Sequence, residues 1–224
     1  MTDPWPWLTL FGLGAFHGIN PAMGWLFAVA LGLQEQKRAA VFRALPPIAL
    51  GHALSVGIIV AIVLLARISL PHSSLKIAAA ALLFAFGMYR LLRSRHPNWV
   101  GMRVGFRDLV VWSFIMASAH GAGLMLIPLF LKGTPSQPLL YASRIGPAVN
   151  VEPLCTSSFA TFSTPSLLAG SVGVHTLGHL LLTSLVALLV YEKLGLALLR
   201  RAWFNLDFLW MIALVGTGVF ILLL

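Results

Sequence analysis

Five histidines sit inside stretches of sequence that are otherwise nearly free of charge: His17, His52, His120, His175 and His179. An imidazole is costly to hold in such surroundings, so several together point to a functional cavity rather than to five separate core residues. His175-Thr176-Leu177-Gly178-His179 sets two of them at i and i+4, on one helix face and at the spacing that chelates a metal. Neutral imidazole suits zinc, copper, nickel, cobalt and iron as ligand or cofactor metal. It also gains and loses a proton near neutral pH, so the same residues can couple transport to a proton gradient. His72 and His96 lie in polar connections and read as surface residues.

The acidic residues bear on this chemistry by their placement. Asp3, Glu35, Asp108, Glu152, Glu192 and Asp207 all fall at the ends of apolar stretches or between them. A divalent ion among histidines alone keeps its full charge in a low-dielectric place, which argues against a permanent structural site. Transient occupation, a monovalent copper helped by Met23 or Met125, an ion entering with an anion, or protons in place of metal would each ease that cost. Cys155 is the single cysteine, which excludes an intramolecular disulfide, a CxxC redox pair and a thiolate metal site.

The elements that must position these residues are membrane spans. Of the 224 residues, 59% are hydrophobic and only 9% are charged, more apolar surface than a soluble domain of this size can hide. The patterning predicts six spans at 8–33, 45–66, 75–92, 109–131, 166–191 and 204–224, each long enough to cross a hydrocarbon core of about 30 Å. The apolar stretch after Met1 carries no preceding Lys or Arg and contains His17, Asn20 and Pro21, so it reads as a first mature helix rather than a signal peptide. The net charge of +9 comes from residues between spans, which fits loop topology and not a nucleic-acid surface. Eleven of the fifteen Lys and Arg fall in the first, third and fifth loops, which predicts an inner-membrane protein with both termini outside. The long Pro-, Ser- and Thr-rich loop 132–165 then lies on the outer face, as a cap or a passive connector.

The two halves, 1–107 and 108–224, echo each other. Gly14-Ala15-Phe16-His17-Gly18 parallels Ala117-Ser118-Ala119-His120-Gly121, and Leu50-Gly51-His52 parallels Leu177-Gly178-His179. Three spans per half is an odd number, so the second half enters from the opposite side and the repeat is inverted. Asn20-Pro21 removes a helix hydrogen bond and predicts a break in the first span, and Gly121-Ala122-Gly123 can loosen the fourth in the corresponding place. Broken helices at the midplane of inverted repeats are where transporters meet their cargo.

His17-Gly18-Ile19-Asn20-Pro21 resembles the His-X-X-X-Pro element of the nickel and cobalt exporters of the NicO and RcnA kind, within the LysE-like transporter superfamily. The resemblance implies two inverted three-helix units and export of a metal ion. This chain differs in having no His-rich loop and in carrying Ala22-Met23-Gly24 after the proline, and it lacks the paired cysteines of the DsbD-like branch. The expectation is an all-α integral membrane protein of six transmembrane helices in two inverted repeats. It places His17, Asn20, Met23, His120 and Met125 around a cargo, and His17, His52, His120, His175 and His179 around a metal. The function expected is a secondary transporter of a metal cation or small polar solute. The alternative is a membrane-embedded metalloenzyme or haem protein acting on a lipid, quinone or small molecule. The lipid bilayer is the expected partner, with a homo-oligomer compatible and nucleic acid excluded.

Overall fold

The computed structural model describes residues 4–69, 71–92, 104–131, 165–194 and 199–223, and these form helices and turns with no strand among them. The loop 132–165 lies outside the described residues except for Pro165, and so do the connection 93–98, His96 and Cys155.

Helix α1 (Trp5–Ile19) carries Pro6 in its first turn, where a missing N–H costs nothing. It stops because Pro21 has no N–H to donate and pushes the preceding residue out of the helical region. Asn20 is accordingly extended, at φ −69° and ψ 122°, and its Oδ1 accepts from the Ala22 N–H at 2.9 Å. A single 3-10 turn, Pro21–Met23, leads to Gly24 at φ 124°, and α2 (Trp25–Glu35) follows. Trp25 ties the break together, its indole N–H donating to the Ile19 carbonyl left over at the end of α1 (2.9 Å).

Gln36, at φ 54°, closes α2 in the left-handed region. Helix α3 (Arg38–Ser69) then begins seven positions before the expected start at 45 and runs through Pro46 and Pro47. Its first turns stand in a polar zone, held by exposed ion pairs of Arg38 with Glu192 (3.1 Å) and of Arg43 with Glu35. Helix α4 (His72–Leu92) returns, and α5 (Phe106–Ala119) opens with the Gly105 N–H donating to Asp108 Oδ2 (2.8 Å). Helix α5 ends at His120, passes Gly121 at φ 68° and a second 3-10 turn, Leu124–Leu126, and resumes as α6 (Ile127–Leu131). Helices α7 (Pro165–Leu189), extended by a π turn at Val190–Leu194, and α8 (Leu199–Leu223) complete the chain.

Residues Arg38–Ala66 and Ser166–Lys193 are long and apolar enough to cross a membrane. The pair α5 and α6, bent by 50°, makes a third if it counts as one span. Shorter apolar helices are Trp25–Glu35, Ser73–Tyr89 and Met211–Leu223. The expected first span is thus divided by its own Asn20-Pro21 step into two helices of 15 and 11 residues.

Polarity is distributed inside out. Leu50, Leu54, Ile58, Ile62 and Leu65 of α3, and Leu177, Leu181, Leu185 and Leu189 of α7, stand exposed at one-turn intervals, whereas histidine, serine and threonine side chains are buried. Contiguous exposed apolar side chains of this kind are compatible with a lipid surrounding. Helix α1 packs along α7, α3 along α5 and α4 along α8. Small residues set the first two contacts. A Cβ added at Gly18 would lie 2.7 Å from the His179 carbonyl, and one added at Gly51 would lie 2.9 Å from the Phe114 nitrogen. Backbones this close are how helices associate where no hydrophobic effect drives them.

Candidate functional site

Four of the five predicted histidines meet in one cluster drawn from three helices. Helix α1 supplies His17, α3 supplies His52, and α7 supplies His175 and His179, all of them wholly buried. The His52 and His179 rings stack face to face, 3.9 Å between centroids and 1° between planes. His175 stacks on the other neighbour, 5.3 Å from His52 at 12°, and His17 meets His175 and His52 edge-on at 5.1 and 5.7 Å. His120 is buried at the C-terminal cap of α5.

Main-chain carbonyls orient three of these rings. His17 Nδ1 lies 2.6 Å from the Leu13 oxygen, His120 Nδ1 lies 2.8 Å from the Met116 oxygen, and His175 Nδ1 lies 3.1 Å from the Leu10 oxygen. A carbonyl oxygen only accepts, so each Nδ1 bears the hydrogen and each neutral ring carries its lone pair on Nε2. His17 and His120 use the same local device, a bond to the carbonyl one turn back, which follows from their matching positions before a helix break. A carbonyl that accepts from one ring nitrogen fixes the tautomer in the same way in histidines that ligate metals through the other.

The other predicted residues lie at the two breaks. Asn20, Met23 and Met125 are buried, the first two at the α1 break and the third in the second 3-10 turn. Asn20 Nδ2, both ring nitrogens of His52, and His175 Nε2 are buried and have no hydrogen-bond partner among the described residues. Each such atom costs about 1–3 kcal/mol if left unmatched.

Glu35, Asp108 and Glu192 stand at helix ends, away from the cluster, while Asp3 and Glu152 and the side chain of Asp207 lie outside the described residues. Among the described residues, no group of three or more His, Cys, Asp or Glu is arranged to hold a metal ion. Flat stacking accounts for this, because parallel imidazoles set their nitrogens side by side and do not aim them at one point.

Hydroxyl groups form a part of the site that sequence reasoning missed. Thr183 Oγ1 lies 3.4 Å from His179 Nε2, one turn along α7. Ser55 of α3 and Ser118 of α5 share a hydrogen bond at 2.9 Å, and Ser113 Oγ donates to the Ile48 carbonyl at 2.7 Å. The His-x-x-x-Thr spacing from His179 to Thr183 was the available signal. Beside the cluster a groove of about 710 Å³ opens between α3 and α7, walled by apolar residues, and its lining residues Ala53 and Thr176 directly follow His52 and His175.

No family model, curated protein or solved structure matches the chain.

Proposed function

We propose that the chain is a six-span secondary transporter of the inner membrane, built as two inverted three-helix repeats, whose cargo crosses at the histidine cluster. The observation that carries this reading is the convergence of two broken helices and four imidazoles, three stacked and His17 edge-on to them, on one buried centre without a described carboxylate. A pseudo-two-fold axis in the membrane plane exchanges the first and fourth spans, the second and fifth, and the third and sixth. It would turn the contact of α1 with α7 into that of α5 with α3, and leave the contact of α4 with α8 in place. Those three contacts are the dominant ones in the fold. The face-to-face stack of His52 on His179, equivalent residues of the two halves, supports an axis passing between them.

The cargo that suits the centre is a transition-metal cation or a small polar solute, met by Nε2 lone pairs, by Asn20 and by the thioethers of Met23 and Met125. A cargo passing through needs weaker holding than a resident cofactor, and stacked rings that must part before they chelate supply that. The resemblance of His17-Gly18-Ile19-Asn20-Pro21 to the LysE-like exporters agrees with this reading and adds metal export to it.

The test is elemental analysis and a visible spectrum of the purified full-length protein. Colourless protein with metal far below one ion per chain is the expected result. Stoichiometric iron or copper, or a Soret band, would overturn the proposal in favour of a resident redox centre.

A further inference from the structure

The buried histidines differ in what holds their rings. His17 and His120 each donate from Nδ1 to the carbonyl one turn back, that of Leu13 and of Met116, and His175 donates to the Leu10 carbonyl of α1. Such a partner settles the tautomer and leaves Nε2 as the one nitrogen with a lone pair. His179 has Thr183 Oγ1 at 3.4 Å from Nε2. For His52, wholly buried, neither ring nitrogen has a partner among the described residues.

The reason lies in one carbonyl. Ile48 stands one turn back from His52, as Leu13 and Met116 stand behind His17 and His120. A carbonyl oxygen has two lone pairs. The Met116 oxygen uses one to accept the His120 main-chain N–H (2.9 Å) and the other to accept the His120 ring (2.8 Å). The Ile48 oxygen lies inside α3, where one lone pair belongs to the helix ladder, and the other accepts from Ser113 Oγ of α5 at 2.7 Å. Ser113 reaches it because Gly51 has no side chain: a Cβ there would lie 2.8 Å from the Ser113 Cβ. His52 thus lacks the tether that its position would otherwise supply, and it stacks on His179 with its nitrogens at the ring edges. In the other half, the carbonyl one turn back from His179 is that of His175, and Gly14 of α1 packs on it; His179 Nδ1 likewise has no partner among the described residues.

An imidazole with both nitrogens open takes either tautomer, so it can meet a cation or a polar solute from either edge. We propose that Ser113 is a positioning residue for His52: by holding the Ile48 carbonyl it keeps that ring two-sided, and cargo passes from one nitrogen of His52 to the other, whereas His175, tethered at Nδ1, meets cargo from one edge. The ring hydrogen leaves the nitrogen that takes the cargo and returns on the nitrogen that the cargo has left, so no proton is gained or lost. A ring tethered at Nδ1 would have to break its hydrogen bond to do the same. The inference rests on the transporter reading above.

Nitrogen-15 NMR of the full-length protein, labelled in its histidines and held in detergent micelles, tests it, with the His52 signals assigned by their loss in His52→Asn. A neutral ring fixed in one tautomer gives two well-separated nitrogen signals, and exchange between tautomers draws them together. Wild type is expected to show His52 averaged and His175 split. Ser113→Ala, which frees the Ile48 carbonyl for the ring, is expected to show His52 split and His175 unchanged. In proteoliposomes offered zinc, nickel, cobalt and monovalent copper in turn, Ser113→Ala is expected to lower maximal flux about tenfold, as loss of outer-shell partners does, and to leave the half-saturating concentration within about twofold. His52 split in wild type, His52 signals unmoved by Ser113→Ala, or wild-type flux in Ser113→Ala would overturn the proposal. The NMR signals do not depend on transport, so absence of any flux in wild type would instead count against the transporter reading.

Discussion

At the scale of the residue, the centre is made by what each imidazole is bonded to. His52 and His179 stack face to face, and neither ring nitrogen of His52 has a hydrogen-bond partner among the described residues. Replacement of either by alanine is expected to lower flux by at least about tenfold, since an interaction of a charged or strongly polar group contributes roughly 1.5–3 kcal/mol. Insertion and abundance are expected to stay unchanged, and His96→Ala is expected to behave as wild type in the same assay. Thr183→Val removes the hydroxyl beside His179 and is expected to weaken apparent cargo affinity about tenfold with the fold intact, as loss of an orienting partner does at ligand histidines. The histidines were legible because an ionisable ring in an apolar stretch needs a reason. The hydroxyls were not, because most membrane-helix serines and threonines only bond their own backbone, as Ser184 does to the Leu180 carbonyl and Thr217 to the Ala213 carbonyl.

At the scale of the element, the breaks and the close helix contacts position the site. Gly24 sits at φ 124°, and an added Cβ would come 2.6 Å from Ile48 Cγ2, so Gly24→Ala is strained twice over. It is expected to destabilise the protein by about 1–3 kcal/mol, read as a lower unfolding temperature in detergent. Gly178→Val, at the contact of α7 with the backbone of α1, is expected to lower the same temperature and to reduce flux by parting His17 from His175. The α1 break could be read from Asn20-Pro21 because a missing N–H has one consequence in a helix. The start of α3 could not. Lys37 and Arg38 look like loop and Pro46-Pro47 looks like a beginning, yet the helix extends into the polar zone where Glu35 and Glu192 meet its arginines.

At the scale of the whole molecule, ladders of leucine and isoleucine on α3 and α7 face outward while His17, His52, His120, His175 and His179 are buried. The helical class and the apolar surface followed from composition. Two helices are long enough to span by themselves and a bent pair makes a third, while the expected six spans require the shorter helices to cross with their neighbours. Reporter fusions at each terminus are expected to label from the outside, and a reporter inserted beside Gln36 from the inside, because Lys37, Arg38 and Arg43 gather there. Termini found on opposite sides would break the inverted relation of the halves, whereas both inside would reverse only the orientation. The most direct test of the account is flux through purified, reconstituted protein offered zinc, nickel, cobalt and monovalent copper in turn, comparing wild type with His52→Ala and His179→Ala. Flux of at least one ion in wild type that falls to the level of empty vesicles in both variants is the expected result, and flux equal in all three proteins would contradict it.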